Sequence, residues 1–248
     1  MAHDQRYISV GLSLAPNDIS GYNTCPRATA GCKACCIFKT GNGFYPNVTQ
    51  KRIWRTKLFF ENRHEFINLL NQDMQVLVKY AKKEGKPLAC RLNVFSDIKF
   101  YKILPKEFFT TYSNVQFYDY TKVESTMTDY MEGKLPTNYH MTFSASEENG
   151  LFCEDVLNRG FNVSKVFALT RTQWGKCKPA EFTLGTVGKT HKVLDGEASD
   201  LRFLDDSPAI VGLYAKGRAL SDTFGFVERK SMPLSNRSKK KSIPLIVI

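Results

Sequence analysis

Four of the chain's seven cysteines, Cys25, Cys32, Cys35 and Cys36, fall within twelve residues, in the stretch NTCPRATAGCKACC. Thiolates are the ligands of zinc and of iron-sulfur clusters, and a loop rich in Gly, Thr and Pro with no long apolar run is a place where they can converge. The spacing is Cys25-x6-Cys32-x2-Cys35-Cys36, so Cys32-x3-Cys36 is present as well. Adjacent side chains diverge, so Cys35 and Cys36 do not serve one ion together, and three ligands is the economical reading. Three thiolates on a [4Fe-4S] cluster leave one iron open to a substrate or cofactor. Structural zinc is the main alternative, but it wants four protein ligands, typically as two C-x2-C pairs, and only one such pair occurs here. Its remaining ligands would come from Cys90, Cys153, Cys177 or a histidine. Ordinary buried or reactive thiols are the third reading, and Cys90, at the start of a predicted strand, reads as core.

The elements that must hold this loop follow from hydrophobic periodicity. Tyr7 to Leu14 reads as a strand leading directly into the loop, the order found at the carboxyl edge of parallel sheets. Val48 to Phe60 reads as a helix with Ile53, Trp54 and Leu58 inward and a basic flank of Lys51, Arg52 and Arg55. Asn62, with Glu65 three residues on, caps a second helix whose apolar positions recur up to Gly85. Short apolar runs at Leu88–Val94, Val115–Tyr120, Tyr139–Phe143, Ser164–Leu169 and Ile210–Tyr214 read as strands, most of them separated by helical segments. Such alternation predicts an α/β fold: a partial (β/α) barrel or an open parallel sheet, with the cysteine loop after the first strand. Residues 1–227 form one domain in this reading, and 228–248 a basic, flexible tail.

In either architecture the working groups lie where strands end. That rule nominates Asp97, Lys122 and Ser144 for catalysis, and Asp119, Ser146 and Arg202 for cofactor binding. Each has a plainer role open to it: a polar sheet edge for Asp119 and Lys122, a helix start for Ser146, an ion pair with Asp200 for Arg202. A hydrolytic reading of Ser144 needs a base, and His140, four residues back along the strand, stands about 13 Å away. The cluster Asp195, Glu197, Asp200, Asp205 and Asp206 offers oxygen ligands for a divalent cation but lacks the alternation of a calcium loop.

Lys and Arg number 35 against 24 Asp and Glu, a net charge of +11. From Glu228 onward there are six basic residues and one acidic, so 6 − 1 = +5 belongs to the tail. This balance favours phosphate-bearing partners, with nucleic acid met by Lys51, Arg52, Arg55 and the tail. No apolar run approaches the ~18 residues of a spanning helix, and no signal-peptide layout opens the chain. The expected setting is therefore cytoplasmic, with no membrane partner and with the odd number of cysteines kept as thiols.

The segments NTCPRATAGCKACC, RLNVFSDI, VQFYDYTK, YHMTFSASEEN and DGEASDLRFLD, followed by IVGLYAKGRA and GFV, resemble the bacteriophage "gene product eighty-eight" family from about Ser13 to Val227. In that family the loop reads N-x-C-P-x-x-T-x-x-C-x-x-x-C, which places Cys25, Cys32 and Cys36 on the pattern and Cys35 at the position of a small residue. The resemblance implies an iron-sulfur protein of an infected host's cytoplasm. It is distantly similar to radical SAM proteins, with the cluster near the top of a partial βα barrel. The spacing departs from the radical SAM pattern C-x3-C-x2-C, and Ser96 and Asp97 stand where a glycine-rich strand end would bind the sulfonium, which puts S-adenosylmethionine in doubt. Two functions follow: an enzyme acting on a small molecule or nucleotide at the open iron, or a nucleic-acid-binding protein with a structural or redox-sensing cluster.

Overall fold

A computed structural model describes residues 5–184 and 188–229. In chain order they form β1 (Ile8–Gly11), α1 (Ala30–Ala34), α2 (Pro46–Glu61), α3 (Arg63–Lys83), β2 (Leu88–Arg91), α4 (Phe100–Ile103), α5 (Lys106–Thr111), β3 (Val115–Thr121), α6 (Glu124–Met131), β4 (Tyr139–Ser144), α7 (Gly150–Asn158), β5 (Val163–Phe167), α8 (Arg171–Cys177), β6 (Glu181–Thr183), β7 (Thr190–Asp195) and β8 (Ile210–Tyr214). The expected tail lies almost wholly outside the described residues.

The sheet has eight strands in the order β1-β2-β3-β4-β5-β8-β7-β6, and every neighbouring pair is parallel except the β6–β7 hairpin. The expected open parallel sheet is present; the pairings run from β1 at one edge to β6 at the other. Because β1 to β5 lie side by side in chain order, right-handed crossovers return α2 to α7 to the same side. Register shows which residues face those helices. Cys90 stands beside Phe117, Phe117 beside Tyr139, Phe143 beside Val163 and Val163 beside Ile210. This face packs with Phe66, Leu70 and Met74 of α3, Met127 of α6, Val156 of α7 and Trp174 of α8 in one apolar core. The opposite face is covered by the turn Arg202–Leu204, whose Phe203 meets Tyr7 at 5.2 Å and Tyr118 at 5.4 Å.

Local chemistry accounts for the long helices. Pro46 sits in the first turn of α2, where its missing N–H costs nothing, and the Asn62 side chain accepts from Glu65 N at 3.2 Å to start α3. One face of α2 corrects the periodicity. Trp54, expected inward, is 57% exposed, while Arg52, expected on the basic flank, is buried. The Arg52 guanidinium lies 4.4 Å from the Phe95 ring and 5.1 Å from that of Phe38, and it donates to the Phe38 carbonyl at 3.3 Å. Two aromatic faces and a carbonyl are a better site for its delocalised charge than the apolar spacing indicated.

His140 yields a pH prediction. Burial, with the Arg202 charge beside it, lowers its pKa from 6.5 to about 4. The unfolded chain takes up this proton first, so His140 contributes stability above pH 6.5 that is lost as the pH falls towards 4. Replacing His140 by Gln should flatten the acid limb of urea-unfolding stability in that window by ~2–3 kcal/mol, at 1.36 kcal/mol per pKa unit. An unchanged acid limb would show that the imidazole is not held neutral.

Candidate metal centre

The loops that follow β1, β2, β4, β5 and β8 all leave the carboxyl edge of the sheet, and all touch the cysteine segment. After β1 the chain is pinned to α2, with Ala15 N donating to the buried Thr56 hydroxyl at 2.8 Å and Thr24 Oγ1 to the Ala15 carbonyl at 2.7 Å. Cys25 follows. Its backbone N–H donates to Asn23 Oδ1 at 2.9 Å, and its sulfur accepts from Asn17 N and donates to the Phe95 carbonyl, both at 3.3 Å. Phe95 belongs to the β2 loop.

Cys32 lies in the short helix α1. Thr29 caps this helix, its hydroxyl accepting from Cys32 N at 3.2 Å. The cap is gripped from the β4 loop by Glu147, which accepts from the Thr29 hydroxyl at 2.8 Å and from Gly31 N at 2.7 Å. Gly31 allows that approach. A Cβ there would stand 2.6 Å from Phe226 Cβ and 2.7 Å from Glu147 Oε1. Gly31→Val should therefore lift α1 off Glu147, lowering the unfolding midpoint and costing ~1–3 kcal/mol; unchanged stability would refute the contact.

The remaining thiols diverge, as adjacency requires. Cys35 is buried with Ala168 and Ala215 of the β5 and β8 loops. Its pKa is pushed up to about 11, by burial and then by Asp222, to which the thiol is hydrogen-bonded. Cys36 is exposed. Partial desolvation by the surrounding chain still raises its pKa, and the Phe38 N–H and the charges of Lys122 and Arg52 pull it back. Cys25 is raised too, again by burial first. Cys32 lies on α1, between Cys25 and Cys36 in the chain. Among the described residues no three His, Cys, Asp or Glu side chains stand as a formed ligand set. The thiols share one short segment without forming a closed cage.

The three catalytic candidates come together at this edge. Asp97 accepts from the Thr121 hydroxyl and from Lys122 N, both at 2.7 Å, and Lys122 Nζ donates to Ser144 Oγ at 2.9 Å. Asp97 N in turn donates to the Thr24 carbonyl at 2.8 Å, next to Cys25. Burial raises the Asp97 pKa against these bonds. His140 is no partner of Ser144, so the serine's companion is an ammonium group and not an imidazole.

The cofactor-binding candidates do not join them. Asp119 shares the helix-side face with Phe117 and is fully buried, accepting from Tyr139 Oη at 2.6 Å, Asn93 N at 2.8 Å and Asn93 Nδ2 at 3.1 Å. It fastens the β2 loop and offers nothing to a ligand. Ser146 closes a local turn, its hydroxyl accepting from Glu148 N at 3.4 Å and its N–H donating to Asn149 Oδ1 at 2.7 Å. Arg202 is 1% exposed under the other face, bonded to the Ser199 carbonyl and paired with Asp205 at 3.1 Å. The expected ion pair of Asp200 is with Arg91 instead, at 3.0 Å. The divalent-cation reading of the acidic stretch is likewise corrected, since its carboxylates are engaged separately. Asp195 accepts from Trp174 Nε1 at 2.8 Å, Glu197 meets Lys216 at 2.8 Å and Asp206 meets Lys192 at 3.1 Å.

Sequence reasoning missed two features. Arg91 and Tyr120 stack at 4.9 Å under that face, near Arg202 and His140, and Arg91 Nε, Thr142 Oγ1, His140 Nε2 and Arg202 Nε have no hydrogen-bond partner there. The period-two alternation of β3 and β4 could have placed Tyr120 and Thr142 on one face. Lys165 is buried, its pKa lowered by burial, and it feels the charge of Glu147; nothing in its surroundings in sequence marks it.

Fold and site together define an α/β protein whose cysteine segment lies across the carboxyl edge of a mostly parallel sheet. The family model of Gene product 88 matches residues 1–230, and the chain belongs to that family. No curated protein and no solved structure matches it.

Proposed function

We propose that Cys25, Cys32 and Cys36 hold an iron-sulfur cluster at the carboxyl edge of the sheet, with Cys35 outside the ligand set. The observation that carries this reading is that the four thiols share one segment fastened at the carboxyl edge from across the sheet, by the Phe95 carbonyl at Cys25 and by Glu147 at α1. Because the described thiols form no ligand cage, α1 and the turn after it would have to shift for all three to hold one cluster. Cys25 and Cys36 are protonated before binding, so binding releases protons and weakens as the pH falls. A cluster held by three thiolates supplies one open iron for Lewis-acid or one-electron chemistry.

The chain's own groups then divide the work. Lys122 and Arg52 place positive charge beside Cys36 and favour its thiolate. Asp97 fixes the Lys122 backbone, and Ser144 takes a hydrogen bond from its ammonium, leaving a polar patch at the metal's edge where a small molecule or nucleotide can be positioned. S-adenosylmethionine is not part of this reading, for the spacing reason given above. Thiol alkylation tests the ligand set: Cys36, although exposed, should resist alkylation in anaerobically isolated protein and react after acid stripping. Rapid modification of Cys36 in the isolated protein would overturn the reading.

Nucleic-acid binding is the second reading, favoured by α2, which presents the exposed Lys51, Trp54 and Lys57 along one face. A base stacked on Trp54 with phosphates on the lysines is the interaction such a strip can make. Arg52, buried between two rings, takes no part. Retention on single-stranded DNA that falls steeply with salt supports this reading, and absence of retention at low salt removes it.

A further inference from the structure

A cleft of about 320 Å³ opens beside Cys25, within the size range of small-ligand sites. One wall is Asn23 and Pro26, which bracket Cys25. Phe59, Phe60, Ile98, Ile103 and Val123 supply an apolar floor, and Tyr22 braces Phe60 by stacking on one of its faces at 4.5 Å and 5°. Charge in the lining comes from Arg63, Lys99 and Asp97.

These charges are not equally available. Asp97 commits both carboxylate oxygens to Thr121 and Lys122 N. Glu61, next to the aromatic ledge, accepts from the Tyr22 hydroxyl at 3.1 Å. Lys99 donates at 2.7 Å to a neutral partner, the Ser125 hydroxyl. Arg63 is fixed with its guanidinium carbon 4.0 Å from the Phe59 ring and its Nε donating to the Phe59 carbonyl at 2.7 Å. Among the described residues no carboxylate pairs with Arg63 or Lys99. The cleft thus combines an apolar floor, in which the Phe59 and Phe60 rings stand at 88° to each other, with a preset guanidinium and a second cation.

We propose that this cleft binds a small flat aromatic anion, its ring on Phe60, Ile98 and Ile103 and its acidic group on Arg63. Binding itself rests on the cleft alone; only its placement next to a cluster on Cys25 rests on the reading above. Charge-assisted hydrogen bonds of this kind contribute ~1.5–3 kcal/mol, so the acid should bind about tenfold or more tightly than its neutral counterpart.

The test is fluorescence titration of the full chain with anilinonaphthalene sulfonate, displaced by indole carboxylate or by indole. One site is expected, with the carboxylate displacing the probe at about one-tenth or less of the indole concentration. Arg63→Gln should weaken the probe about tenfold and Ile103→Glu should remove it, while Lys82→Gln, on the exposed side of α3, changes nothing. Circular dichroism confirms folding, and Lys99→Gln, which disturbs no backbone bond, should weaken binding if Arg63→Gln unfolds. Equal displacement by indole and its carboxylate overturns the proposal, as does unchanged affinity in folded Arg63→Gln. Cys32→Ser should leave this binding intact while removing iron, so failure of the cleft and failure of the cluster are told apart.

Discussion

Cys32→Ser will leave the protein without bound iron, and Cys35→Ser will retain it. Cys32 lies on α1, the part of the segment that Glu147 holds through Thr29 and Gly31, so its loss removes a donor fixed from across the sheet. Cys35 is a protonated thiol bonded to Asp222 and buried among alanines. Its replacement should cost ~1–2 kcal/mol of stability through a disturbed buried bond, with iron content preserved. Iron per chain in anaerobically purified variants reads both results. Iron retained by Cys32→Ser and lost from Cys35→Ser would exchange their roles and break the proposed set.

Asp119→Ala should cost ~3 kcal/mol of stability, because it leaves Tyr139 Oη and Asn93 N buried without an acceptor. It should also lower iron retention, since Asn93 anchors the loop whose Phe95 carbonyl holds Cys25. Burial raises the Asp119 pKa from 3.8 to about 6, against the Arg91 charge and the bonds from Tyr139 and Asn93. The folded state therefore holds the proton longer than the unfolded one, and ionisation of Asp119 costs stability as the pH rises from about 4 to about 6. Asp119→Asn should lack this slope in urea unfolding. A wild-type slope retained by the Asn variant would place the titration elsewhere.

Much of this layout was legible in the residues. The cap at Asn62, the apolar recurrence of α3 and the runs that became β3, β4 and β8 depend on local period and composition, and they stand within a residue or two of where the sequence placed them. The meeting of Asp97, Lys122 and Ser144 follows from one rule, that parallel strands deliver their ends to one edge. The same rule misled for Asp119 because it names an edge and not a face; two residues on from Phe117, Asp119 must point into the helix-side core. Arg52 and Trp54 exchanged places for a tertiary reason, two aromatic rings brought from residues 38 and 95, which no helical period contains. α8 was missed although Thr170 and Gln173 form a complete capping box, with bonds of 3.3 Å and 2.8 Å. That signal was present and simply short.

The cysteine segment remains the centre of the account. It is a short capped helix with thiols before, within and after it, laid across the strand ends and fastened by Glu147, Phe95 and Asp222. Analysis of iron, acid-labile sulfide and zinc in the anaerobically purified chain, with its visible absorption spectrum, tests the claim most directly. A coloured protein with iron and sulfide in equal amounts is the expected result, and a colourless protein carrying stoichiometric zinc would contradict it.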